Sequence, residues 1–201
     1  MGGRLWRIGD RIFDLSGQGL IMGILNVTPD SFSDGGKFFT AESAVEHGLR
    51  MVEEGAQIID VGGESTRPGA EPVAAEEELR RVIPVIEQLR AKIDTVISID
   101  TSKAQVARAA IRAGASIVNE VTGGRSDAGI MPLVAETRSA FIVMHMQGNP
   151  RTMQVEPRYT DVVAEVADFF RQQYARALEC GIHPMAIAFD PGIGFGKTLQ
   201  H

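Results

Sequence analysis

Gln57–Ala70, QIIDVGGESTRPGA, passes from a buried apolar run to a charged loop within a few residues. Gln57-Ile58-Ile59 is short and β-branched, as suits a strand covered on both faces. Asp60 then places a carboxylate at the strand's end, and Gly62 and Gly63 let the backbone turn. Glu64 to Gly69 follows as a polar loop in which Pro68 braces the cation of Arg67. The segment reads as an anion handle beside a hydrogen-bonding carboxylate. Taken alone it is equally a βα turn with solvated charges, so the decision rests on whether the chain repeats it.

Upstream, Ile21–Leu25 reads as a buried strand ending in Asn26, and Thr28–Gly36 as a long loop rich in turn formers. Thr40 is placed to cap a helix striped by Ala44, Val45, Leu49 and Val52, which Gly55 closes. Downstream, a helix spans roughly Ala74 to Leu89 with Pro84 as a kink, and the strand Thr95–Ile99 ends in Asp100. Thr101 or Ser102 caps the helix Lys103–Ala113, and Ser116–Val118 ends in Asn119. Gly55–Asp60, GAQIID, thus reappears as Gly114–Asn119, GASIVN, each followed by a glycine pair. A short helix at Met131–Glu136 precedes the strand Phe141–Met144, which ends in His145. A longer helix, Asp161–Leu178, carries an aromatic stripe assigned to the core, and the strand Met185–Phe189 ends in Asp190. Trp6–Phe13 reads as a hairpin about Gly9-Asp10.

Six strands therefore end in Asn26, Asp60, Asp100, Asn119, His145 and Asp190, all hydrogen-bonding residues at one structural position. Strands alternating with helices over short connections pair in parallel, and parallel sheets bind ligands at the C-terminal ends of their strands. A doubly wound sheet gathers function at one switch point, whereas a barrel brings every strand end to one mouth. The fold class is thus α/β, a (β/α)8 TIM barrel. At about 33 residues per unit, against roughly 250 residues for eight units, the spacing predicts that the chain holds the first six βα units, through strand six. Residues 1–201 form one domain, with the hairpin in 1–20 and the strands in 21–201.

A chain of 201 residues with 44% hydrophobic content supports one sizeable core. A net charge of −6 gives no general attraction to nucleic acid or anionic membrane, so an anionic ligand must be held by local cations. One cysteine, Cys180, excludes an internal disulfide and a thiolate metal cluster. With no long apolar run and no signal-peptide pattern at Met1–Asp10, the expectation is a cytoplasmic protein.

Gly192–Thr198, GIGFGKT, falls short of a phosphate-binding Walker loop, since three residues rather than four separate Gly192 and Gly196 and proline stands first. These glycines, Gly194 among them, let the backbone approach a flat ligand on which Phe195 stacks. Asp100 and Asp190 are either metal ligands or acceptors for ring N–H donors, and Asn119, donor and acceptor together, fits beside them. Asp100 also has a structural alternative as a helix cap. Paired carboxylates for glycoside hydrolysis compete, but that chemistry has no need of two asparagines and an arginine. His145 closes a buried strand, where a satisfied core histidine is the commoner outcome, and Met144 or Met146 is the expected pocket wall.

MGILNVTPDSFSDGG at 22–36, GGESTRPGA at 62–70, SIDTSK at 98–103, MHMQGNPRTMQ at 144–154 and FDPGIGFGKT at 189–198 together resemble the dihydropteroate synthase family of the folate pathway. The resemblance implies condensation of 6-hydroxymethyl-7,8-dihydropterin pyrophosphate with p-aminobenzoate, giving 7,8-dihydropteroate and pyrophosphate. It implies that Asp100, Asn119 and Asp190 grip the pterin and that Asn26 is the protein ligand of Mg2+, an oxygen donor for a hard cation. It places Thr66, Arg67 and the adjoining Pro68 at the pyrophosphate or p-aminobenzoate, Phe32 in a closing loop, and Phe195 on the p-aminobenzoate side. Catalysis falls to Asp100, Asp190 and Arg67. Glu120 stands where the family has aspartate, and the family's seventh and eighth strands, which supply further cations, have no counterpart. The implied partners are the two small-molecule substrates, with a homodimer in the full-length family. A pterin-dependent methyltransferase domain and an inactive or partner-completed pterin-binding fragment are the alternatives.

Overall fold

The computed structural model describes residues 4–28, 41–65, 71–148, 152–154 and 156–201. β1 (Leu5–Ile8) and β2 (Arg11–Asp14) form an antiparallel hairpin. Then follow β3 (Met22–Asn26), α1 (Ala41–Glu53), β4 (Ile58–Gly62), α2 (Ala75–Arg90), β5 (Val96–Asp100), α3 (Ala104–Ala113) and β6 (Ile117–Glu120). The chain continues through α4 (Ile130–Thr137), β7 (Ala140–Met144), α5 (Val162–Glu179) and β8 (Ile187–Asp190). The six strands β3 to β8 lie side by side in chain order, every pair parallel. This is the expected succession of βα units from a (β/α)8 barrel.

Alternation along each strand divides its side chains between two environments. Leu25, Ile59, Val61, Ile97, Ile99 and Val143 face the helices and join a core completed by Val45, Val82, Ile86 and Leu89. The opposite set, Ile58, Val96, Ile117 and Ala140, meets Trp6 and Ile8 of the hairpin. Met22 of β3 and Ala188 of β8, the two outer strands, pack on that same cluster, so the inner face of the sheet curls around one centre. Trp6 fills its N-terminal end, and its indole N–H donates to the Ala186 carbonyl at 3.4 Å.

Some helix ends follow local chemistry. Gly55 and Gly114 close α1 and α3 at φ +110° and +122°, where a side chain would be strained, which accounts for the repeated GA junction. Asp161 caps α5 by accepting from the Ala164 N–H at 3.0 Å. Neither Thr101 nor Ser102 caps α3, however. Lys103 occupies that position without a side-chain bond, and Asp127, from the loop before α4, accepts the Ala104 N–H at 2.8 Å. Thr40 lies outside the described residues.

Two further expectations need correction. The strand following Gln57 does not end at Asp60 but runs on to Gly62, which sets Asp60 two residues inside the sheet. The aromatic stripe of α5 is only partly core. The helix buries Gln173 and Ala177, while Phe170 and Tyr174 pack on Phe189, itself 43% exposed on the outer strand β8.

Candidate active site at the strand ends

Strand register brings the expected residues together. Asn26, Gly62, Asp100 and Asn119 are successive cross-strand partners on β3, β4, β5 and β6. Asp190 lies on β8 opposite Met144. Gly62 leaves bare backbone between two oxygens: a Cβ built there would stand 3.5 Å from Asp100 Oδ2 and 3.8 Å from Asn26 Oδ1. Asp100 is not a helix cap, because Asp127 does that work.

Below this row, Asp60 is 4% exposed and faces Ser98 across the β4–β5 pair. The Asn119 amide spans β5 and donates from Nδ2 to Asp60 Oδ2 at 2.9 Å. Burial raises the Asp60 pKa, with the hydrogen bond from the Asn119 amide opposing it. Asp100 is driven well above the usual carboxylate range, first by burial and then by the negative field of Asp60, Glu78, Glu120 and Glu64. Asp100 therefore holds its proton more tightly than an exposed carboxyl would.

The wall beside these acids is apolar. Met144, Met146 and Met153 are buried against one another, with Val121 and Phe195 packed on them, so polarizable sulfur and an aromatic face lie beside the carboxylates. Gly194 sits in the adjoining loop at φ +87°, and its carbonyl accepts from the Gln154 amide. No atom lies within 4 Å of where its Cβ would stand, so backbone conformation alone calls for glycine. Gly192 differs. At φ +65°, its Cβ would fall 2.1 Å from the His145 carbonyl oxygen. The loop therefore uses this glycine to seat on β7 rather than to approach a ligand. Gly192→Ala is expected to cost about 2 kcal/mol or more in urea unfolding, and a loss below about 0.5 kcal/mol would contradict this seating.

Asp190 accepts the Gly192 N–H at 2.8 Å through Oδ1, which aims its carboxylate from a β-strand end into the loop. Lys197 binds the loop from within, donating to the carbonyls of Gly192 and Phe195 at 3.1 and 3.2 Å and to His145 Nδ1 at 2.9 Å. Burial, then the cations Lys197 and Arg125, bring the His145 pKa down to about 4, and its ring lies edge-on to Phe169 at 4.9 Å. His145 is a neutral, packed histidine. Because its folded pKa is depressed, its contribution to stability is present above 6.5 and is lost as pH falls through about 4. His145→Gln should therefore lose less stability than the wild type between about pH 7 and pH 5 in denaturant titrations. An equal loss would show that His145 titrates normally.

A second ion cluster fixes the start of the loop after β4. Lys103 pairs with Glu64 and, at 2.6 Å, with the fully buried Glu78 of α2. Arg81 donates to the Gly63 carbonyl at 2.9 Å. Glu120 is also buried, and it accepts from the Thr122 N–H at 3.0 Å and from the Gly124 N–H, shaping the turn after β6 without sharing Asn119's partner. Phe32, Thr66, Arg67 and Pro68 lie outside the described residues. Among the described residues no group of three or more His, Cys, Asp or Glu side chains is arranged to hold a metal ion.

Inward-facing hydrogen-bonding side chains over a sulfur and aromatic wall, at the C-terminal ends of parallel strands, define a barrel enzyme that takes a flat polar ligand at its mouth. A family model described as pterin binding enzyme matches residues 22–201. The chain is 47% identical to the dihydropteroate synthase of Synechocystis over 193 residues, covering 96% of this chain and 67% of that protein. It is 52% identical to the Escherichia coli K12 enzyme over 181 residues, covering 90% and 64%. The Xanthomonas albilineans dihydropteroate synthase structure with 4-aminobenzoic acid superposes with a TM-score of 0.88 at 48% identity, over 98% of this chain and 69% of that one. The Burkholderia cenocepacia enzyme complexed with 7,8-dihydropteroate gives 0.84 at 42%, over 96% and 65%. The chain belongs to the dihydropteroate synthase family of pterin-binding enzymes and spans about two thirds of the length of these relatives.

Proposed function

We propose that the protein condenses 6-hydroxymethyl-7,8-dihydropterin pyrophosphate with p-aminobenzoate, releasing pyrophosphate and 7,8-dihydropteroate. The observation that carries this is the row of Asp100 and Asn119 in register, beside the Met144–Phe195 wall, in a chain whose relatives hold p-aminobenzoate and dihydropteroate. An aminopyrimidinone ring offers several N–H donors along one edge. Asp100 and Asp190 accept them, and Asn119 supplies an acceptor and a donor. Met144 and Phe195 cover the ring faces.

The oxygens of Asn26 and Asp100 flank the bare Gly62 backbone, a donor set that suits a hard cation. Asn26 would hold Mg2+, with Asp100 nearby. When bound, Mg2+ neutralises charge growing on the departing pyrophosphate. Arg67 would do the same, and Thr66 would hydrogen-bond the same anion. Asp100, ionised as it accepts ring N–H bonds, stabilises the electron-poor methylene that the arylamine attacks. Phe32 covers the arylamine and excludes water, the competing nucleophile.

Turnover is tested by mixing the two substrates with the protein and Mg2+ and following dihydropteroate and pyrophosphate together. Equal release of both is expected. Transfer from a methylated folate without p-aminobenzoate would overturn the proposal in favour of a pterin-dependent methyltransferase.

A further inference from the structure

Asn119 is an ambiguous reader, because rotating its amide by half a turn exchanges donor and acceptor at nearly the same positions. In this protein one orientation is favoured by a residue outside the ligand row. Asp60, 4% exposed and on the inner face two residues before Gly62, accepts from Asn119 Nδ2 at 2.9 Å. The reversed amide would set its carbonyl against this carboxylate, acceptor against acceptor. The second Asp60 oxygen, Oδ1, and the neighbouring Ser98 Oγ are buried and make no hydrogen bond.

We propose that Asp60 is a positioning residue that fixes the Asn119 amide with its oxygen and one N–H toward the ligand, and so selects a ring edge carrying an amino group beside an unprotonated ring nitrogen. This rests on the pterin reading given above. A pterin presents such an edge at its 2-amino group. The corresponding 2-oxo ring, a lumazine, reverses it, with a carbonyl beside a ring N–H. An amide free to turn would read either edge, whereas a fixed one rejects the reversed edge by leaving buried polar groups unpaired. Asp60→Asn removes the bias while keeping the shape, because an amide at position 60 pairs with Asn119 in either orientation.

The test is calorimetric titration of the wild type and Asp60→Asn with 6-hydroxymethyl-7,8-dihydropterin and with its 2-oxo counterpart, after thermal melting confirms that the variant folds. The preference for the 2-amino ring should shrink about tenfold or more in Asp60→Asn, the scale of one misread bidentate pair. An unchanged preference in a folded variant overturns the inference. The unliganded wild type provides a second readout in the 1H–15N resonances of the Asn119 side chain. One amide proton is expected to exchange with solvent far more slowly than the other, and equal, fast exchange of both overturns the inference. Should neither ring bind the wild type, the pterin reading falls, and the amide exchange alone decides the role of Asp60.

Discussion

Asp100→Asn is expected to make the protein more stable at neutral pH and unable to hold a pterin. Burial and the surrounding carboxylates raise the Asp100 pKa well above its ordinary value of 3.8. The folded state therefore holds this proton more tightly than the unfolded chain does. Its contribution to stability is complete below 3.8 and is lost as pH rises through the folded value. Asparagine mimics the protonated form, removes that loss and relieves the repulsion from Asp60, Glu78 and Glu120. A gain of about 0.5–2 kcal/mol at neutral pH is expected, with a flatter decline toward alkaline pH, as for other residues kept for function at a cost in stability. Affinity moves the other way. Each charge-assisted hydrogen bond to the ring is worth about 1.5–3 kcal/mol, and the new NH2 group faces ring donors with a donor. Two lost bonds amount to a fall of more than about 100-fold in pterin affinity. Urea unfolding across pH and calorimetry on the same sample read both effects. Affinity within about threefold of the wild type would remove Asp100 from the site.

The second large effect falls on Lys103. Desolvation pulls its ammonium down, but the hydrogen bonds it donates to Glu64 and Glu78 outweigh this and hold it above its ordinary value. Glu78 has no exposed surface, and its Oε1 makes no hydrogen bond, so Lys103 is what neutralises this carboxylate. Lys103→Met leaves a buried, unpaired charge, a change that costs about 3–5 kcal/mol in comparable sites. Adding Glu78→Gln should recover most of that loss, since neutral groups replacing both partners of a buried pair are close to neutral in effect. Urea midpoints of the single and double variants decide. A single-variant loss under about 1 kcal/mol, or no recovery in the double variant, would show that Glu78 does not depend on this lysine. The same substitution frees the first residues of the loop that leads to Thr66 and Arg67, so pyrophosphate affinity should fall with it.

Local signals carried much of the architecture. Apolar runs ending in Asn26, Asp100 and Asp190 marked strand ends, the run before Asn119 stopped one residue short of the end of β6, and glycines at 55 and 114 marked helix ends, because these depend on neighbouring residues alone. Asp60 was misread as a strand terminus because Val61 and Gly62 resemble the start of a turn. Only the pairing of Gly62 with both Asn26 and Asp100 shows that the strand continues. Its bond with Asn119, 59 residues away, depends on three strands lying in register, which no local pattern reports. Asp127 as the cap of α3, and Lys197 as the clamp on the loop after β8, are long-range or loop-internal bonds of the same kind. Lys197 was legible as a residue of the GFGKT segment but not in its role. Glu120, which the sequence marks only as standing where the family has aspartate, builds the turn that follows β6.

The central claim is that acids at the strand ends hold an aminopyrimidinone ring. It is tested most directly by calorimetric titration of the wild type and Asp190→Asn with 6-hydroxymethyl-7,8-dihydropterin pyrophosphate, each with and without Mg2+. Binding to the wild type that Mg2+ strengthens, and its loss in a folded Asp190→Asn, is the predicted result; undiminished affinity in that variant, or no binding to a folded wild type, would contradict it.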